Sequence, residues 1–188
     1  MIIWTLPWNR GEYSNWPKFH QPWIEQYQQY PNNTLLIANT GLHSEHHNST
    51  EAYQKYFDQF VELARTFSRP KDYIFYRTSV PGHGDCKTND KPLTSPSDFH
   101  VANTWNWPLI HEFNEYSKQG LSNLTKDAYY WGRINHWMLL DVYPMTILRP
   151  DGHLKPPTDC LHYKYLGMHD FWVHLLMNNL MDLSKAKL

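Results

Sequence analysis

Thr34-Leu35-Leu36-Ile37-Ala38-Asn39-Thr40-Gly41 is the stretch on which the fold turns. A short apolar run entering Asn-Thr-Gly has the pattern of a buried strand that ends in a turn. The segment after it changes period. Asn48 or Ser49 can cap a helix, Glu51 stands three residues after Asn48, and Tyr53, Tyr56, Phe57, Phe60, Val61, Ala64 and Phe67 recur at helical spacing. Tyr73-Ile74-Phe75-Tyr76-Arg77-Thr78, stopped by Pro81 and Gly82, predicts a second strand. Asn106 to Gln119 predicts a helix with Pro108 in its first turn and Leu109, Phe113 and Tyr116 on one side. Met138 to Val142 predicts a third strand, with room for a helix from about Lys126 before it, and Gly167 to Leu183 a final helix with Phe171, Trp172, Leu175, Leu176 and Leu180 as its apolar face. The first thirty residues mix Trp, Pro and polar groups without a period and read as loop. Strands alternating with helices imply a parallel sheet covered on its faces. Function in such sheets sits at the carboxyl ends of the strands, so Asn39-Thr40-Gly41, Arg77-Thr78 and the loop after Val142 should share one edge.

A chain of 188 residues suits one domain, 1–188. Its 17 Lys and Arg balance 18 Asp and Glu for a formal net charge of -1, so no basic field gathers phosphates and nucleic acid is excluded as a partner. No apolar run approaches the roughly 20 residues of a membrane span. Met1-Ile2-Ile3-Trp4 lacks the basic start and long apolar core of a signal peptide. The 9 Trp, 13 Tyr and 8 Phe fill cores, while Trp and Tyr also stack on sugar faces. Acceptor sequons at Asn32, Asn48 and Asn123 point to the secretory route. Cys86 and Cys160 fit either one disulfide, closing a long loop, or two free thiols. His43, His46 and His47 cluster in one loop, but their spacing fits no established zinc motif, and neither metal nor cofactor is expected.

Asp159-Cys160-Leu161-His162 carries the chemistry. An Asp and a His three apart before a helix can share a turn, the carboxylate orienting the imidazole while its other nitrogen faces a nucleophile. Asp159-Cys160-x-His162-Tyr163 with Gly167, Asp170 and Trp172 resembles the C-terminal signature of the PC-esterase family, the trichome-birefringence-like branch of the SGNH (GDSL-type) hydrolases. Arg149-x-Asp151-Gly152-His153 is similar to that family's R-x-D-G-H segment, Asn39-Thr40-Gly41 to its N-T-G block, and Arg77-Thr78-x-x-Pro81-x-His83 to its R-T-x-x-P-x-H block.

The resemblance implies a flavodoxin-like, three-layer α/β/α fold with a parallel sheet. It also implies a serine nucleophile and hydrolysis or transfer of an acyl group, usually acetyl, on carbohydrate hydroxyls. Asp159 would be the triad acid and His162 the general base. Asn39 and Gly41 fall where oxyanion donors belong, and Arg77 and His83 would shape the site. Partners would be a carbohydrate and an acyl donor or acylated glycan, in the lumen of the secretory pathway. The family's G-D-S segment, expected before Asn39, is missing; Ser14 stands outside any such motif. Lys164 and Leu166 replace the Cys and Pro of plant members, and Leu42-His43 the His-Trp after N-T-G. The expectation is therefore the C-terminal part of such a domain, lacking its first strand and its serine. The alternative is an inactive glycan-binding module of the same fold.

Overall fold

The computed structural model describes residues 2–5, 27–30, 34–42, 49–67, 69–84, 86–131 and 136–185. Its centre is a four-stranded, all-parallel sheet in the order β1 (Ile2–Thr5), β2 (Leu35–Asn39), β3 (Tyr73–Arg77), β4 (His136–Leu140). Strand β1 pairs with β2 from Ile2↔Leu36 to Thr5↔Asn39. The opening residues are thus not all loop: Ile-Ile-Trp-Thr is a run of β-branched and aromatic residues, and pairing along the β2 edge outweighs its lack of alternation. The position beside β2, expected to stand empty, is filled by this strand.

Helix α1 (Thr50–Phe67) links β2 to β3, and α2 (Ile110–Trp131) links β3 to β4. Right-handed crossovers between strands laid down in order put both helices on the same face. Accordingly Tyr53, Phe57 and Phe60 of α1 and Phe113 and Leu121 of α2 form one core with Leu36, Ala38, Ile74, Tyr76 and Trp137. The alternate residues Ile37, Phe75 and Leu140 face the other way, against α4 (Met168–Lys185). This is an α/β/α arrangement, compatible with a flavodoxin-like fold, built on a small sheet.

Local chemistry explains the boundaries. Ser49 Oγ accepts the Ala52 N–H at 3.2 Å and caps α1. Gln119 is not the end of α2. Gly120 lies inside the helix, where a Cβ would meet Phe57 Cε1 at 2.7 Å, and the expected segment from Lys126 is the same helix continued. Strand β4 starts and stops two residues earlier than predicted, in register from Tyr73↔His136 to Arg77↔Leu140. It stops because Val142 N–H turns to Thr78 Oγ1 at 2.9 Å, opening the four-residue helix α3 (Tyr143–Thr146).

The last unexpected element is a hairpin of β5 (His153–Lys155) and β6 (Asp159–Tyr163), antiparallel, with His153↔Tyr163 in register. Three-residue β5 is too short to show a period, and Pro156-Pro157 obscures the pattern between the strands. Leu161 and Tyr163 join Met168 and Leu176 of α4 in the second core. The hairpin therefore lies on the α4 side of the sheet.

Candidate active site

Asn39 and Arg77 end neighbouring strands and share the parity of Ile37 and Phe75, so both belong to the α4 side. The Asn39 amide Nδ2 donates to Arg77 O at 2.8 Å and to Ser79 Oγ at 3.1 Å, while its Oδ1 accepts from Arg77 Nη2 at 2.7 Å. Both amide protons are committed. Asn39 therefore acts as a brace across β2 and β3, and serving as an oxyanion donor would require it to release one of these bonds. Ser79 continues the brace. It is buried, its hydroxyl donates to Thr40 O at 2.6 Å, its N–H donates to Asn114 Oδ1 at 2.8 Å, and its carbonyl accepts from Asn114 Nδ2 at 2.9 Å. Gly41 has φ 111°, where a side chain is strained, and a Cβ there would also crowd Tyr53 at 3.2 Å. Its carbonyl accepts from the buried amide of Asn106.

The Arg77 guanidinium is half-buried, with Nη1 donating to Thr78 O at 3.3 Å and Cζ lying 5.3 Å from the centre of the Trp172 ring. Burial pulls it down to about 10, with the neighbouring Tyr76 opposing the shift.

Asp159 and His162 do meet, in a turn that lies at the start of a strand. Both lie on a strand, where residues three apart ordinarily point to opposite faces. At the start of β6 the chain curls over the carboxylate: Asp159 Oδ1 accepts the N–H of Leu161 at 3.1 Å and of His162 at 2.9 Å. That turn brings His162 Nδ1 to 2.9 Å from Oδ2 and 3.1 Å from Oδ1. The imidazole side chain is 62 % exposed and the carboxylate 26 %. Burial alone would raise the Asp159 carboxyl, but the two backbone N–H groups and the imidazole outweigh it and hold it below the ordinary range. Asp159 thus stays ionised, which fixes the proton of a neutral His162 on Nδ1.

The pair is fastened from behind. Cys86 and Cys160 form the disulfide, so the two thiols are not free, and His83 N–H donates to Cys160 O at 3.1 Å. The side chains of His83 and His153 are fully buried and meet at 2.8 Å between Nδ1 and Nε2. With His83 Nε2 donating to Ile147 O at 2.9 Å, its Nδ1 is the acceptor and His153 Nε2 carries the donated proton. Tyr163 lies over the His153 ring with centroids 4.4 Å apart. Arg149 grips Asp151 through Nε at 2.8 Å and Nη2 at 2.9 Å. His83 is therefore a buried support rather than a substrate-facing group. Neither Asn39 nor Arg77 bonds to Asp159 or His162; the loop after β3, from Thr78 to Cys86, carries contacts to both groups.

No model of a known protein family matches the chain, and no curated protein matches it.

The four sequence segments singled out above join through the one from Arg77 to His83. Arg77 meets Asn39 of Asn-Thr-Gly, the His83 ring meets that of His153, and His83 N–H meets the carbonyl of Cys160. Ser79 and Asn114 were missed. The signal available was an Asn beside Phe113 on the buried side of a helix, a polar group that must find a partner there. Asn123 is exposed on α2, whereas Asn32 and Asn48 lie outside the described residues. So do His43, His46 and His47; among the described residues no three His, Cys, Asp or Glu side chains group as metal ligands. No helix among the described residues is long and apolar enough to cross a membrane.

Proposed function

We propose that this chain is a PC-esterase relative and supplies the acid and base of an acyl-transfer reaction on carbohydrate hydroxyls. The observation that carries the reading is the Asp159–His162 pair: a carboxylate held ionised by two backbone N–H groups, bonded at 2.9 Å to Nδ1 of an imidazole that is largely open to solvent. In this reading Nε2 takes the proton of a serine hydroxyl as it attacks the acyl carbonyl. Asp159 stabilises the imidazolium that forms, and His162 returns the proton to the departing sugar oxygen. Water or a second sugar hydroxyl then releases the acyl-serine. The reading requires a serine nucleophile, and the sequence carries no G-D-S segment.

Carbohydrate is supported by exposed aromatics. Trp105, 66 % exposed, sits at φ 53°, an uncommon backbone for a bulky side chain, beside the Asn106 that holds Gly41. Tyr165 is 85 % exposed. The disulfide and the exposed Asn123 sequon support an oxidising, lumenal compartment.

The test uses the full-length protein with a fluorophosphonate probe and an acetylated oligosaccharide. A labelled serine and acetate release, both lowered about 10²- to 10⁴-fold by His162→Ala without loss of fold, are the expected results. Undiminished activity in that variant refutes the assignment. Saccharide binding with neither labelling nor release favours the inactive glycan-binding module, which the exposed Trp105 also suits.

A further inference from the structure

Arg77 differs from the other partly buried basic side chains of the described residues. Arg69 pairs with Asp72, Lys118 with Glu115 and Asp141, and Arg149 with Asp151. Among the described residues no carboxylate lies within ion-pair distance of Arg77. Its polar contacts are the neutral oxygens of Asn39 and Thr78, and one face of its guanidinium lies toward Trp172. A cation removed from water without a counter-charge is costly, and a guanidinium offers five N–H groups, of which two are used here. The remaining three lie in the guanidinium plane, clear of the ring that covers its face, and form the fork that fits a carboxylate. The position is the carboxyl edge of a parallel sheet, where such sheets receive ligands.

We propose that Arg77 is the seat of a single carboxylate group of the ligand, carried either by a uronic-acid unit of a saccharide or by the acid released in acyl hydrolysis. The choice of these two sources rests on the acyl-transfer reading above; the carboxylate itself rests on Arg77. Charge counting selects a monoanion over phosphate or sulfate dianions. Lys118, near the same edge through Asp141, is already matched by two carboxylates and adds no unbalanced positive charge. The depressed proton affinity of Arg77 is consistent with a site poised for a counter-ion.

The full-length protein is titrated with galacturonic acid, acetate and galactose, followed by calorimetry and by NMR of the Trp side chains. Galacturonic acid or acetate should bind at least about tenfold more tightly than galactose, the contribution of a charge-assisted hydrogen bond, and Arg77→Met should erase the difference. Galacturonic acid without acetate identifies the saccharide as the source; acetate alone identifies the released acid. Because Arg77 also braces Asn39, a measurement on the unaltered protein accompanies the variant. Phenylglyoxal modification at Arg77, read by peptide mass, should slow several-fold with the bound carboxylate and not with galactose. Equal binding of all three, with Arg77 modified at the same rate throughout, overturns the carboxylate site and leaves the carbohydrate reading standing. Protection of Arg77 without any serine labelling overturns acyl transfer and leaves the carboxylate site standing.

Discussion

Replacing both Cys86 and Cys160 with Ala removes a crosslink between residues 74 positions apart in sequence. In the chain-entropy account the unfolded chain regains the freedom of a loop that long, and the stability lost is about 4 kcal/mol at 25 °C. Cys86 is 2 % exposed, so its truncation adds a small packing loss, and Ala avoids burying a hydroxyl in its place. Urea unfolding of the protein and the double variant, at matched pH, gives the difference directly. The slope against urea should rise, since an uncrosslinked chain exposes more surface when it unfolds. Reduction of the unaltered protein must reproduce the variant, because the argument places the effect in the unfolded chain. A loss below about 1 kcal/mol, or a loss in the Ala variant that reduction does not produce, would refute the entropic reasoning. A second readout is local: His162 should broaden or shift in NMR, since the bridge ties β6 to the loop after β3.

Two further outcomes follow from buried polar groups. Burial first, then the neighbouring His83, hold His153 at about 4 in the folded chain, against 6.5 for an ordinary imidazole. Between those values the unfolded chain binds more protons, so stability falls as pH drops from about 7 toward 4, by up to about 3 kcal/mol, and His153→Gln should flatten that part of the curve. Equal slopes for both proteins would remove His153 from the account. Asn114→Ala strands the buried N–H and carbonyl of Ser79 together and should cost about 2 to 4 kcal/mol in thermal or urea melts. An Ala variant within about 0.5 kcal/mol of the parent would show that water satisfies Ser79.

The elements legible in the sequence were those whose pattern is carried by their own side chains. Tyr73 to Thr78 and the α1 stripe have one period each, strong enough to survive any neighbour. Strand β1 and the β5–β6 hairpin are short and were legible only once their partners were known, because pairing, not periodicity, makes them. Helix α2 was expected to end at Gln119 for a related reason: only the contact with Phe57 explains why Gly120 sits inside it. The Asp159–His162 pair was found through residue type and order, as two residues sharing a turn before a helix, but the strand on which that turn lies was not foreseen. The bend that unites them comes from two backbone N–H groups on one carboxylate oxygen. Asn39 shows the opposite limit. Its place in Asn-Thr-Gly suggested a free donor, and only the positions of Arg77 and Ser79 reveal that both protons are taken.

Dependence of β6 on a residue as distant as Cys86 also sets an order of events during synthesis. At ordinary translation speeds of 5–20 residues per second, roughly 4 to 15 s separate the appearance of Cys86 from that of Cys160. By then the sheet and the layer of α1 and α2 have their whole sequence, which ends with β4 at Leu140. The Asp159–His162 pair is therefore assembled after its scaffold, and Cys86 waits as a thiol in the meantime. With two cysteines in the sequence, Cys86 has no other partner within it during that interval, so the crosslink that ties β6 to the loop after β3 closes only after β6 has been made.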